Sequence, residues 1–174
     1  MDWHIPLLVS AIAFAAFMVF RVRPAMSGAG RASAVALKQA KQRVAAAPDD
    51  AARALALAEA ADACVTLGRT SAAVSFYLRA LRADPGSKEI ATRAAEGLAR
   101  RPAALENVMW RHLASVRFGE SRESAVIALR ALVAAYSRRP RLHPRARALE
   151  NVLEALGEGP SKHPSRRPPP SPSA

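Results

Sequence analysis

AARALALAEAADACVTLGRTSAAVSFYLRALRADP, residues 51 to 85, decides the fold, because two apolar-striped segments meet here at the single Gly68. The first segment places Leu55, Leu57, Ala58, Ala61, Cys64, Val65 and Leu67 at spacings of three and four. The second does the same with Ala73, Val74, Tyr77, Leu78, Ala80 and Leu81. Each segment therefore has one face to bury, and together they predict a helical hairpin. Gly68 suits the left-handed residue that ends a helix, Thr70 or Ser71 is placed to cap the next, and Asp84-Pro85 closes it, since proline disfavours helical geometry in the residue before it. Such a hairpin cannot bury its apolar faces alone, so its neighbours are expected to be stacked helices.

The spacing resembles that of the tetratricopeptide repeat, a 34-residue helix-turn-helix unit that stacks into a superhelix. Gly68 is followed by Ala73, Tyr77, Ala80 and Pro85 at the small-residue and aromatic places of that family's second half. The first half departs from it: where the family favours a Trp, a Leu, a Gly and a Tyr, this chain has Leu57, Ala60, Ala61 and Cys64. In that family ligands lie against the first helix of each unit. The resemblance thus implies a partner surface of Ala58, Asp62, Val65 and Thr66, continued by Glu89, Thr92, Glu96 and Arg100 on the next helix. Asp62, Glu89 and Glu96 make this surface acidic, which favours a protein or peptide ligand carrying Lys or Arg.

With 174 residues and a net charge of +12, the chain offers one modest domain plus attachments. Aromatic content is 5%, so the core must be built from Ala, Leu and Val, which favours helix over strand. The basic excess is mostly Arg, with Lys only at 38, 41, 88 and 162, a load that also fits a GC-rich genome. A basic balance is compatible with nucleic acid, with an anionic membrane surface, or simply with solubility. The single cysteine, Cys64, excludes an internal disulfide and lies in a helical stripe as a small core residue.

Residues 3 to 20, WHIPLLVSAIAFAAFMVF, contain no Asp, Glu, Lys or Arg, and as a helix they span roughly 27 Å, enough to cross a bilayer core. Met1-Asp2-Trp3 lacks the basic leader of a cleaved signal, while Arg21, Arg23, Arg31, Lys38, Lys41 and Arg43 follow the apolar run. Residues 1–24 are therefore expected to be a single transmembrane anchor with the N-terminus outside and the body in the cytoplasm, in contact with anionic lipid. The alternative is the same domain exported after signal cleavage.

Residues 25–50 follow as a linker with a hinge at AMSGAG and a basic helix from Arg31 to Ala47, whose thin apolar stripe is Val35, Leu37, Ala40 and Val44. Asp49 or Asp50 caps the next helix. Residues 51–101 hold the hairpin and a further helix, 87 to 100, capped by Ser87 and weakened by Gly97. Residues 102–157 supply a second hairpin, Ala103 to Phe118 and Ser121 to Ser137 around Gly119, then SRRPRLHPRAR as an arginine-rich loop and a closing helix from Ala146 to Leu156. Trp110 is expected to pack a helix interface. Residues 158–174, GEGPSKHPSRRPPPSPSA less its first glycine, form a disordered Pro-rich basic tail, in which Arg166, Pro169 and Pro172 have the spacing of a polyproline ligand.

The expected fold is therefore all-α: one transmembrane helix, a small antiparallel hairpin solenoid and a tail. His4, His112, His143 and His163 are isolated, no His, Cys or carboxylate pair has metal-ligand spacing, and no phosphate-cradling loop or strained nucleophile turn occurs. No enzyme, cofactor or metal is expected. The function expected is that of a membrane-anchored scaffold or adaptor. The rival is nucleic-acid binding through Arg138, Arg139, Arg141, Arg145 and Arg147, which lacks interleaved aromatics for base stacking.

Overall fold

Gly68 adopts φ +74°, the left-handed geometry that only glycine reaches freely, and the turn around it closes as the spacing requires. The Gly68 N–H donates to the Val65 carbonyl at 3.0 Å and the Arg69 N–H to the Cys64 carbonyl at 2.8 Å, the paired bonds of a Schellman stop. This computed structural model describes residues 9–14, 17, 28–117, 119 and 121–158. Its helices are α1 (Gly28–Ala46), α2 (Asp50–Thr66), α3 (Thr70–Ala83), α4 (Lys88–Leu98), α5 (Pro102–Ser115) and α6 (Arg122–Ser137). A 3-10 turn (Pro140–Leu142) leads into α7 (His143–Ala155). No strand occurs among the described residues.

Successive helices touch one another, and α2 also touches α4, α3 touches α5, and α4 touches α6. That second set of contacts turns hairpins into a stack, since each helix covers the faces of two others. Among the described residues both ends are thinner: α1 leans on α2 alone, and α7 touches α6 and the 3-10 turn without reaching α5. One core runs through the stack from Leu37 and Ala40 of α1 to Leu149 and Leu153 of α7. Its middle is alanine against alanine, with Ala54, Ala58, Ala60, Ala61, Ala73, Ala80, Ala91 and Ala94 fully buried, which lets the helix axes come close. Leu57, Tyr77, Leu81, Ile90 and Leu98 fill the larger gaps.

The membrane expectation is overturned. No helix among the described residues is long and apolar enough to cross a membrane, so neither a single-pass anchor nor the orientation derived from it stands. Of residues 3–20, residues 9–14 and 17 are helical and exposed, with Val9, Ile12, Phe14 and Phe17 more than half accessible, and the others lie outside the described residues. The expected tail likewise lies outside them, apart from Glu158.

Several local expectations are corrected too. The helix α1 starts at Gly28 rather than Arg31, and Val35 is 56% exposed, so its inward stripe is Leu37, Ala40 and Val44. In α2, Ala54 rather than Leu55 turns inward. Asp49 caps α2, accepting from the Ala52 N–H at 2.6 Å. Ser87 caps α4 at 3.4 Å. Neither Thr70 nor Ser71 caps α3: Thr70 is its first residue, and its hydroxyl receives the Arg101 guanidinium from the start of α5. The α5 helix stops at Ser115, and the arginine-rich stretch is not a loop. Pro140 opens the 3-10 turn and Pro144 sits in the first turn of α7, where the missing N–H breaks no helical bond, so Arg145 and Arg147 are helical.

Candidate functional site

The face shared by α2 and α4 carries the residues implied as a partner surface, and one of them does not belong there. Ala58, on α2, is fully buried and cannot meet a ligand. Thr66, Glu89, Glu96 and Arg100 are exposed, while Asp62, Val65 and Thr92 are half-buried. The sequence pattern overlooked Arg93, which organises this face. Its guanidinium reaches Asp62 of α2 at 3.4 Å and Glu89, one turn earlier in α4, at 2.8 Å. Asp62 also accepts the hydroxyl of Tyr77, which rises between the helices from α3 and approaches the Arg93 carbonyl at 3.3 Å. The Thr66 hydroxyl turns back to the Asp62 carbonyl at 3.0 Å.

These contacts set the local electrostatics. Burial raises the Asp62 carboxyl above its ordinary value, while the Tyr77 hydrogen bond and Arg93 oppose that rise. Burial and the neighbouring carboxylate push the Tyr77 phenol far above its usual range, so it stays a donor at any working pH. With Arg93 committed to two carboxylates, Glu96 remains an exposed carboxylate that makes no ion pair among the described residues.

Glu96 also borders an apolar groove of about 210 Å³ between α4 and α6, floored by Ala95, Ala99, Leu105, Ala131, Ala134 and Ala135. Arg138, one of the five arginines that would carry nucleic-acid binding, lines the same groove. The structure thus joins one residue from each expected site. Arg139, Arg141, Arg145 and Arg147 are exposed and run on from the 3-10 turn into α7.

Two polar contacts hold the second half of the stack. His112 of α5 is 1% exposed, and its Nε2 lies 3.3 Å from the Ser124 hydroxyl of α6. Ser124 lies within donor reach of the Pro85 carbonyl at 2.6 Å and the Ser121 carbonyl at 3.0 Å, which leaves its oxygen to accept from a protonated Nε2, with Nδ1 buried and without a partner among the described residues. Burial lowers the His112 pKa, because a charged ring would bury an unpaired N–H. Trp110 sits at the edge of the α5–α6 interface: it is 43% exposed, and its indole N–H donates across to the Tyr136 hydroxyl at 3.0 Å. Tyr136 donates to Glu106 at 2.6 Å. Cys64 is free and buried, and burial raises its thiol pKa. Among the described residues no group of three His, Cys, Asp or Glu is placed to hold a metal ion.

No family model matches this chain, and neither a curated protein nor a solved structure does. What can be stated of its class is architectural: among the described residues it is an all-helical stack.

Proposed function

We propose that this chain is a helical scaffold, akin to a tetratricopeptide-repeat adaptor, that holds a Lys- or Arg-bearing segment of another protein against the face shared by α2, α4 and the groove beside α6. The observation that carries this reading is Glu96: an exposed carboxylate, unpaired among the described residues, at the edge of an alanine-floored groove in a chain of net charge +12. A groove floored by small side chains admits a partner's apolar residue, while an unpaired carboxylate beside it selects a cation over an anion. Asp62 and Glu89 support the same preference less strongly, since Arg93 already sits between them. No reaction is assigned to this face.

The test is capture of partners by the full chain, repeated with Asp62→Lys and Glu96→Lys combined. Loss of a discrete, salt-sensitive set of partners by the double variant, with helicity unchanged, is the expected result. Retention of the same partners at the same salt removes this face from consideration. Salt-sensitive binding of the full chain to DNA, abolished when Arg138, Arg139, Arg141, Arg145 and Arg147 are changed to Gln, would replace this reading by the nucleic-acid one.

A further inference from the structure

The end of the central hairpin that lies away from Gly68 carries a charge that the scaffold function does not use. There Arg53, in the first turn of α2, and Arg79 and Arg82, near the end of α3, line one cavity of about 360 Å³ together with Asp50, Leu57 and Ala83. The hairpin makes this meeting, since a chain that reverses at Gly68 returns the last turns of α3 to the first turn of α2. Arg79 and Arg82 stand three apart and so share a face of α3. Arg82 also borders a second cavity of about 280 Å³ between α3 and α5, where Arg111 adds a fourth guanidinium to the same field.

Other arginines of the stack have found carboxylates. Arg43 pairs with Glu59, Arg93 with Asp62 and Glu89, and Arg122 and Arg130 with Glu158. Arg53, Arg79, Arg82 and Arg111 are exposed and make no ion pair among the described residues, and α3 contains no acidic residue to offer one. Like charges gathered on one cavity repel, and an anion seated among them removes that cost. Three guanidinia against the one carboxylate of Asp50 leave two positive charges in excess at the cavity. A phosphomonoester carries about −1.5 to −2 near neutral pH, whereas each phosphodiester of a nucleic acid carries a single negative charge. The planar guanidinium also matches phosphate oxygens two at a time. Asp50 is not spent on the helix start, because Asp49 caps α2. An ionised carboxylate only accepts, so beside a phosphate it asks the ligand for a hydroxyl. We propose that this cavity binds a small, soluble phosphomonoester that carries a hydroxyl: Arg53, Arg79 and Arg82 hold the phosphate and Asp50 accepts from the hydroxyl. The volume is that of a small-molecule site, typically about 300 to 1,000 Å³.

The test is calorimetric titration of the full chain with glycerol 3-phosphate and, separately, with inorganic phosphate. Glycerol 3-phosphate is expected to bind about tenfold more tightly, the worth of one hydrogen bond to a charged group. Arg79→Gln with Arg82→Gln should weaken both probes by about tenfold or more, while Arg139→Gln with Arg141→Gln, remote from the cavity, should change neither. Asp50→Asn separates a built site from a merely basic patch. It removes a charge that repels phosphate, so inorganic phosphate should bind more tightly, and it removes the acceptor, so glycerol 3-phosphate should lose its advantage over phosphate. Equal affinity of the two probes for the unaltered chain overturns the proposal, as does an Asp50→Asn variant in which that advantage persists. Binding of both probes that survives Arg79→Gln with Arg82→Gln overturns it too. Duplex DNA that displaces glycerol 3-phosphate and itself depends on Arg79 and Arg82 would assign these arginines to nucleic acid and overturn the small-ligand site.

Discussion

The two tyrosines of the described stack show how differently its halves are held. Tyr77 is fully buried and is clasped by three helices: it springs from α3, gives its hydroxyl to Asp62 of α2, and sets the phenol against Arg93 and Gly97 of α4. Tyr136 is nearly as buried, yet both its polar partners, Glu106 and Trp110, come from the single helix α5, and α7 closes only one side of α6. Both use a phenol-to-carboxylate bond. What differs is the number of helices that bond joins, and a contact closing three elements resists opening more than one closing two.

Tyr77→Ala should therefore have the largest effect, a loss of about 3 to 5 kcal/mol in chemical denaturation, as for other large aromatic truncations. Tyr136→Ala should cost clearly less, because the open α5–α7 gap lets the site relax. If the two cost the same, the contrast fails.

Next comes Gly97. A Cβ there would run into the Tyr77 hydroxyl oxygen, so Gly97→Ala should destabilise by about 1 to 3 kcal/mol through overpacking, although alanine is the better helix former. Tyr77→Phe removes the offending oxygen and leaves the ring carbon at 3.4 Å, so Gly97→Ala made together with Tyr77→Phe should recover most of the loss. Additive effects in this cycle would show that the two residues do not meet.

A smaller effect distinguishes the second half by pH. His112 has its folded pKa lowered from the ordinary value of 6.5, so the unfolded chain binds the proton more readily and stability rises with pH through that range. The contribution is complete above pH 6.5 and is lost as pH falls below it, by at most about 1.4 kcal/mol per pH unit. A His112→Gln variant, compared by denaturation at pH 5 and pH 7.5, should lack that slope. The smallest effect belongs to the exposed arginines: Arg139→Gln with Arg141→Gln should change stability by less than about 0.5 kcal/mol.

Much of the hairpin is legible in the sequence because its signals are local. Gly68 announces the turn through its own backbone freedom, and Ala73, Tyr77 and Ala80 at helical spacing are all fully buried. Other features escape the sequence for identifiable reasons. In an alanine-rich helix apolar residues occupy every face, so the pattern selects Leu55 where Ala54 is inside, and puts Ala58 on a surface it never reaches. Gly97 looks like a weak helix position because its cause, the tip of Tyr77, lies twenty residues earlier in sequence. Glu89 and Arg93, four apart on one helix, are a legible pair, but the reach of Arg93 to Asp62 on α2 is not, since nothing local marks a contact between residues 31 apart in sequence. Prolines at 140 and 144 suggest a loop, since sequence alone does not say that each falls in a first turn. Of the candidate site, the carboxylates are legible and the groove is not, since it arises where α4 and α6 meet.

The central claim, a stack anchored where α2, α3 and α4 close around Tyr77 and loosening toward α7, is tested most directly by amide hydrogen exchange of the full chain. Opening free energy should be highest for the amides of α2, α3 and α4, lower for α5 and α6, and lowest for α7, which among the described elements meets α6 and the 3-10 turn only. Exchange of α7 as slow as that of α3, or α3 exchanging first, would contradict it.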